Sequence, residues 1–276
     1  MGIPFTKMHG LGNDFVLFDA LSDPVSLNIA QIRAVADRRH GIGCDQVLLI
    51  QPAQSDQADV RYRIFNADGR EVEQCGNGAR CIAQYLRRRG YMCKDILVAE
   101  TLKGRVSMYF EPDGMIRVNM GEPKLNPEDV PVLAKRASIG YEIDIGGETI
   151  GFLALSMGNP HAVLEVEDVE TAAVAQLGAR LSRHACFPEG ANVGFMQVLD
   201  RGRMRLRAYE RGVGETLACG SGACAAVVAG WLMSRLDAEV AVELRGGILR
   251  VAWHGEGSPV WMTGPATYVF EGSIQL

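Results

Sequence analysis

Two short stretches of this 276-residue chain place a cysteine where a thiol can act as acid or base. They are Cys75-Gly76-Asn77-Gly78-Ala79-Arg80-Cys81 and Cys219-Gly220-Ser221-Gly222-Ala223-Cys224. Each follows an alternating, strand-like run and leads into an apolar, helix-like run. The leading cysteine then sits at a strand-to-helix turn, beside backbone N–H groups that have no partner inside the helix. Such a position lowers a thiol pKa and cradles a carboxylate. A free thiol titrates near about 8.5, so a shift of this kind brings a thiolate toward neutral pH. A thiolate on one face of a stereocentre can remove the α-proton while a thiol on the other face returns one, and the centre inverts. The N–H groups of Gly76, Asn77, Gly220 and Ser221 would grip the neighbouring α-carboxylate and stabilise carbanionic charge. No lysine occupies a recognisable pyridoxal-phosphate setting, so the route reads as cofactor-free.

Either loop alone reads equally well as a buried structural thiol. Their duplication favours function. Disulfides between Cys75 and Cys81, or Cys219 and Cys224, are disfavoured because such neighbours at a helix start point along different sides. Cys81 and Cys224 are expected in the core, and Cys44, Cys93 and Cys186 have no matched partners and read as incidental.

Other polar positions keep step with the cysteines. Asn13 and Asn159 lie 146 residues apart, as do Gln46 and Asn192, while Asn66 and Glu210 lie 144 apart, as do Cys75 and Cys219. Insertions accumulate freely in loops, so this shared offset points to two halves of one plan. His161 and the pair Glu210-Arg211 break the symmetry, because the first half offers only neutral Asn66-Ala67 at the latter place.

The elements expected around these positions also repeat. In the first half, strands are expected over Phe15–Asp19, Val47–Ile50 and Val60–Asn66, with a helix over Ser26–His40. A helix from the first cysteine loop to Leu86 and a hairpin of Ile96–Thr101 with Arg105–Phe110 follow, then Met115–Asn119. The second half repeats this with strands His161–Val166, Val193–Val198 and Met204–Glu210, and a helix over Val169–His184. It closes with the second cysteine loop and its helix, then Glu239–Leu244 and Ile248–Trp253. The pattern predicts an α/β chain with mixed sheets, in two pseudo-symmetric domains of like fold. Their expected bounds are 1–119 plus 265–276, and 120–264, with the active site in the cleft between them.

Composition narrows the classes. A net charge of −5 supplies no basic excess for nucleic acid, and Arg87-Arg88-Arg89 reads as a helix end. The longest apolar run, Ala223–Met233, is too short to span a bilayer. No secretory signal is visible, and the seven cysteines lack paired zinc spacing, so a metal-free protein of the reducing cytoplasm is expected. Gly10-Leu11-Gly12 has Phe15 where a dinucleotide fingerprint needs its third glycine, and neither cysteine loop is followed by the Gly-Lys-Ser/Thr of a P-loop.

Taken together, several motifs resemble the diaminopimelate epimerase family along essentially the whole chain. They are Met8-His9-Gly10-Leu11-Gly12-Asn13-Asp14-Phe15, Phe65-Asn66-Ala67-Asp68-Gly69 with the first cysteine loop, and Gly158-Asn159-Pro160-His161. Tyr209-Glu210-Arg211-Gly212-Val213-Gly214-Glu215-Thr216 with the second cysteine loop completes the set. The resemblance implies a sheet wrapped around a central helix in each half. It also implies interconversion of LL- and meso-diaminopimelate, in lysine and peptidoglycan precursor biosynthesis, by a homodimer. Cys75 and Cys219 would be the acid–base pair, with His161 and Glu210 close to the reacting centre. Asn13, Gln46, Asn66, Gly76, Asn77, Asn159, Asn192, Glu210, Arg211, Gly220 and Ser221 would hold the substrate. Two rival readings stand beside this one: a cofactor-free racemase or epimerase of the proline or hydroxyproline type, and a redox or metal-binding dithiol protein.

Overall fold

The computed structural model describes residues 2–73, 75–133, 138 and 140–276. The first elements along the chain are β1 (Ile3–Gly10), β2 (Asn13–Asp19), α1 (Ile29–Ala36), β3 (Gln46–Pro52) and β4 (Val60–Asn66). Next come β5 (Glu71–Val72), α2 (Gly76–Arg88), β6 (Ile96–Thr101), β7 (Gly104–Phe110) and β8 (Ile116–Asn119). Then follow β9 (Tyr141–Asp144), β10 (Thr149–Ser156), β11 (Pro160–Glu165), α3 (Val174–Ser182), β12 (Asn192–Asp200) and β13 (Arg203–Glu210). The chain ends with β14 (Gly214–Thr216), α4 (Gly220–Leu232), β15 (Glu239–Leu244), β16 (Gly247–Ala252), β17 (Trp261–Gly264) and β18 (Thr267–Ile274). Two compact units result: Met1–Asn119 with Thr263–Leu276, and Met120–Met262.

Within the first unit β1 pairs antiparallel with β2 and β18, and β2 runs parallel to β3. β4 lies antiparallel to β3 and parallel to β6, and β7 continues the sheet to β8. The second unit repeats this: β10 antiparallel to β11, β11 parallel to β12, β12 antiparallel to β13, β13 parallel to β15, and β15 antiparallel to β16. The register repeats as well. Phe15 faces Gln46 across β2 and β3, and His161 faces Asn192 across β11 and β12.

Each parallel pair needs a crossover, and the crossovers are α1 and α2 in one unit and α3 and α4 in the other. Successive side chains of a strand face opposite sides, so a strand between two helices is apolar on both. On β2 and β3, Val16, Phe18, Val47 and Leu49 pack with Ile32, Val35 and Ala36 of α1. The alternate residues Phe15 and Leu48 turn toward α2, where both approach Gly78. In the second unit Ala162, Leu164, Val193 and Phe195 pack with Val174 and Leu181 of α3. α2 touches β1, β3, β7 and β8, and α4 touches β10, β11, β12, β13 and β16, so each sheet wraps one central helix. α4 is correspondingly apolar all round, buried from Gly222 to Gly230.

Two helices are shorter than their periodicity predicts. α1 begins at a capping box, in which Asn28 and Gln31 bond each other's backbone N–H, and ends at Ala36. Beyond it the Asp37 carboxylate accepts the N–H groups of Arg39 and His40, and that turn replaces the helix expected to His40. α3 spans only Val174–Ser182 of the expected Val169–His184. Within Asp168–Thr171 the Asp168 carboxylate and carbonyl take the Glu170 N–H and the Thr171 hydroxyl. Among the described residues no helix is long and apolar enough to cross a membrane.

Candidate active site

Both cysteines of interest are helix N-caps. Cys75 precedes α2 and Cys219 precedes α4, each in extended conformation, and each carbonyl accepts the first helical bond, from Ala79 and Ala223, at 2.9 Å. The N-terminal groups of Gly76 and Asn77, and of Gly220 and Ser221, are therefore free of i→i−4 bonds by position, which is the anion-binding end of a helix. Glycine two residues after each loop's first glycine permits close packing: a Cβ at Gly222 would stand 3.1 Å from the Cys219 sulfur.

In the first unit the loop gathers three of the expected residues. The Cys75 sulfur donates to Oδ1 of Asn13 at 3.7 Å, and Nδ2 of Asn77 donates to the same oxygen at 3.1 Å. Asn13 itself donates to the Asp45 carboxylate at 3.0 Å. Gln46 and Asn66, opposite each other on β3 and β4, are joined at 2.8 Å through Nε2 and Oδ1. Among the described residues the buried Oε1 of Gln46 has no hydrogen-bond partner.

Behind Asn13 lies a charged cluster that composition did not reveal. Asp14 bonds Lys7 at 2.6 Å and Arg38 at 2.7 Å, and Arg38 also bonds Asp45 at 2.7 Å. Burial pushes the Asp14 carboxyl up, but Arg38 and Lys7 outweigh it and hold the group well below the usual carboxylate range. Arg80 is a second surprise. It is fully buried on α2 and donates to Asn77 Oδ1 at 2.9 Å and to the Pro265 carbonyl at 3.0 Å.

In the second unit Cys219 is buried, and its sulfur accepts the Gly222 N–H at 3.3 Å, with Ser221 Oγ 3.7 Å away. His161, on the α4 side of β11, meets Asn159 Oδ1 at 3.0 Å through Nε2. Asn192 Oδ1 accepts the Arg211 backbone N–H at 2.9 Å, and the Arg211 guanidinium reaches the Glu189 carbonyl at 2.6 Å. Thr216 donates to Glu210 at 2.6 Å, a partner the sequence pattern did not single out. Cys44, Cys81 and Cys186 are held back from ionising by burial, which pushes their thiols up to about 12, about 12 and about 11. Among the described residues no group of three or more His, Cys, Asp or Glu is placed to hold a metal ion.

The chain matches the family model described as diaminopimelate epimerase over residues 5–126 and 153–269. It is 56% identical to a diaminopimelate epimerase of Thioalkalivibrio sulfidiphilus and 52% identical to one of Azoarcus sp., with 100% of each chain covered in both comparisons. Its fold is similar to that of a hydroxyproline epimerase from Agrobacterium vitis, with a TM-score of 0.73, 16% identity, and 99% and 92% of the two chains covered.

Burial of His161 generates a prediction about pH. Its imidazole is pushed down to about 3, first by desolvation and then by the charge of Arg211, from an ordinary value of 6.5. Between those two values the unfolded chain takes up a proton that the folded chain refuses. Stability therefore falls as pH drops from about 6.5 toward 3, by on the order of a few kcal/mol. His161→Phe, which installs the residue found at the matching Phe15, should flatten that dependence in urea-unfolding midpoints measured across the window.

Proposed function

The chain belongs to the diaminopimelate epimerase family of isomerases, and from that premise we propose that it interconverts LL- and meso-2,6-diaminopimelate by proton transfer between two thiols. The observation that carries the mechanism is the matched pair of N-cap cysteines, Cys75 and Cys219, each at the N-terminus of a buried helix. In the proposed reaction the two thiols serve opposite faces of one α-carbon. The thiolate takes the α-proton as the C–H electron pair passes into the carboxylate-stabilised carbanion. The opposite thiol then gives its proton to the other face, so sulfur charge and proton exchange places and nothing else is consumed. The N–H groups of Gly76, Asn77, Gly220 and Ser221 bind the α-carboxylate, and no cofactor takes part.

The rest of the shell divides by charge. Asn13, Gln46, Asn66, Asn159 and Asn192 supply neutral amides, and His161 stands neutral beside Asn159. Glu210 and Arg211 provide the charged pair that a second amino-acid end requires. That end must be recognised and left unreacted, and the planar guanidinium of Arg211 suits its carboxylate. Proline or hydroxyproline has no such end, which favours diaminopimelate over the rival substrate. The reaction supplies a precursor for lysine and peptidoglycan. Seven cysteines without paired zinc spacing support cytoplasmic residence. A homodimer is part of the same reading, with exposed Val269 and Phe270 on β18 as an apolar edge for the second copy. Sedimentation velocity at micromolar concentration should find the dimer mass, and a monomer would remove that element.

In deuterated water the chain should wash deuterium into the α-position of LL-diaminopimelate as it epimerises. Cys75→Ser and Cys219→Ser should each lower inversion by at least about a thousandfold, and full turnover in either variant would end the two-thiol reading. Arg211→Lys keeps the charge and loses the fork. It should lower kcat/KM by roughly tenfold or more through KM, and an unchanged value would remove Arg211 from the distal carboxylate.

A further inference from the structure

The two cysteine loops share a backbone and differ in what their sulfurs meet. Cys219 receives an N–H from Gly222 at 3.3 Å, and a donor favours the thiolate. Cys75 meets Oδ1 of Asn13 at 3.7 Å, and an amide oxygen only accepts, so it favours the proton-bearing thiol. The difference depends on which end of the Asn13 amide faces the sulfur.

Amide orientation is normally ambiguous, yet here both ends of a chain of amides determine it. At one end stands Arg80, fully buried and without any acceptor atom, donating to Asn77 Oδ1 at 2.9 Å. The Asn77 oxygen is thereby turned to Arg80 and its nitrogen to Asn13 Oδ1, at 3.1 Å. At the other end the Asp45 carboxylate, paired with Arg38 at 2.7 Å, accepts Asn13 Nδ2 at 3.0 Å. A donor-only cation and an acceptor-only anion leave the two amides one arrangement. The second half has none of it: the positions matching Asp45, Asn77 and Arg80 hold Ala191, Ser221 and Cys224.

We propose that Arg80 and Asp45 are positioning residues that clamp Asn77 and Asn13 so that Cys75 rests as the thiol, leaving Cys219 as the resting thiolate. The free enzyme is then loaded for the isomer whose α-hydrogen meets Cys219. This rests on the reading above only in pairing the two thiols at one carbon.

Thiolate ultraviolet absorbance against pH tests it without turnover. Cys75→Ser reports Cys219 and Cys219→Ser reports Cys75, each after subtraction of the chain carrying both substitutions. Cys44, Cys81 and Cys186, pushed up to about 12, about 12 and about 11, stay silent across the neutral range. Cys219 should ionise about one pH unit or more below Cys75, a roughly tenfold difference in ionisation constant. Equal or reversed order overturns the assignment. In the Cys219→Ser chain, Asp45→Asn or Arg80→Met alone should leave the Cys75 curve nearly in place, because the other clamp holds. Together they free the Asn13 amide, and the curve should move to lower pH by about half a unit or more. A combined variant that matches the single ones refutes the clamp. Asn77→Ala breaks the same link as Arg80→Met and replaces it where the methionine variant folds poorly. Hydrogen exchange that fails while these titrations hold would remove the proposed reaction and keep the clamp, and the reverse result would do the opposite.

Discussion

The structure depends on one local constraint, a cysteine placed as the N-cap of a helix that a sheet surrounds. The first helical bond uses the cysteine carbonyl, from Ala79 in one unit and Ala223 in the other, so the preceding amides have no helical acceptor. A helix start of this kind stays buried only when something polar answers its N–H groups. In α4 one of them is answered by the Cys219 sulfur itself, through Gly222. The sheet enforces the placement, because β10 to β13 and β16 all touch α4, and α2 is held likewise by β1, β3, β7 and β8. A rigid scaffold therefore fixes each sulfur, as general acid–base chemistry requires.

Duplication supplied the scaffold twice, and part of the divergence falls on side chains that carry charge or hydrogen bonds. The ladder from Phe15 to Gln46 is repeated from His161 to Asn192, yet one apolar ring has become an imidazole. Asn66 has become Glu210, held by Thr216, and the buried cation Arg80 has become the buried thiol Cys224. Under the proposed reaction this is what a substrate with one reacting and one spectator end demands. Identical halves would offer both ends the same partners.

Much of this was legible in the sequence, for stated reasons. Half-buried strands alternate, and β4, β6 and β15 fall at their predicted limits. The fixed offset marked Asn13, Gln46, Asn66, Cys75 and their counterparts, because positions held by one geometry cannot drift as loops do. β1 and β10 escaped: each lies buried over most of its length, and Thr6 and Lys7 are buried in β1, so neither run alternates. Helix limits were overrun where an aspartate captured the backbone, at Asp37 and Asp168. Asp45 and Arg80 escaped for another reason. Their meaning lies in partners up to 185 residues away, such as Pro265 for Arg80, and no local pattern encodes a tertiary acceptor.

A buried guanidinium is costly unless its donors are met, and an apolar residue of similar size often serves stability as well or better. Arg80 is therefore better explained by specificity than by stability. One donor goes to Pro265, at the start of the segment that returns as β18 beside β1, and another goes to the Asn77 amide. The terminal strand and the first cysteine loop are thereby joined through a single side chain. Gly10 makes room for it, since a Cβ there would stand 3.0 Å from the Arg80 guanidinium and 3.2 Å from the Asn77 Cβ. A serine, Ser156, occupies the matching place in the second half, where the helix carries no arginine to accommodate. The first half thus spends its closest backbone approach on orienting amides, while in the second the sulfur accepts a helix N–H, that of Gly222. Under the proposed clamp the two thiols would acquire different proton affinities from a difference in side chains rather than in fold.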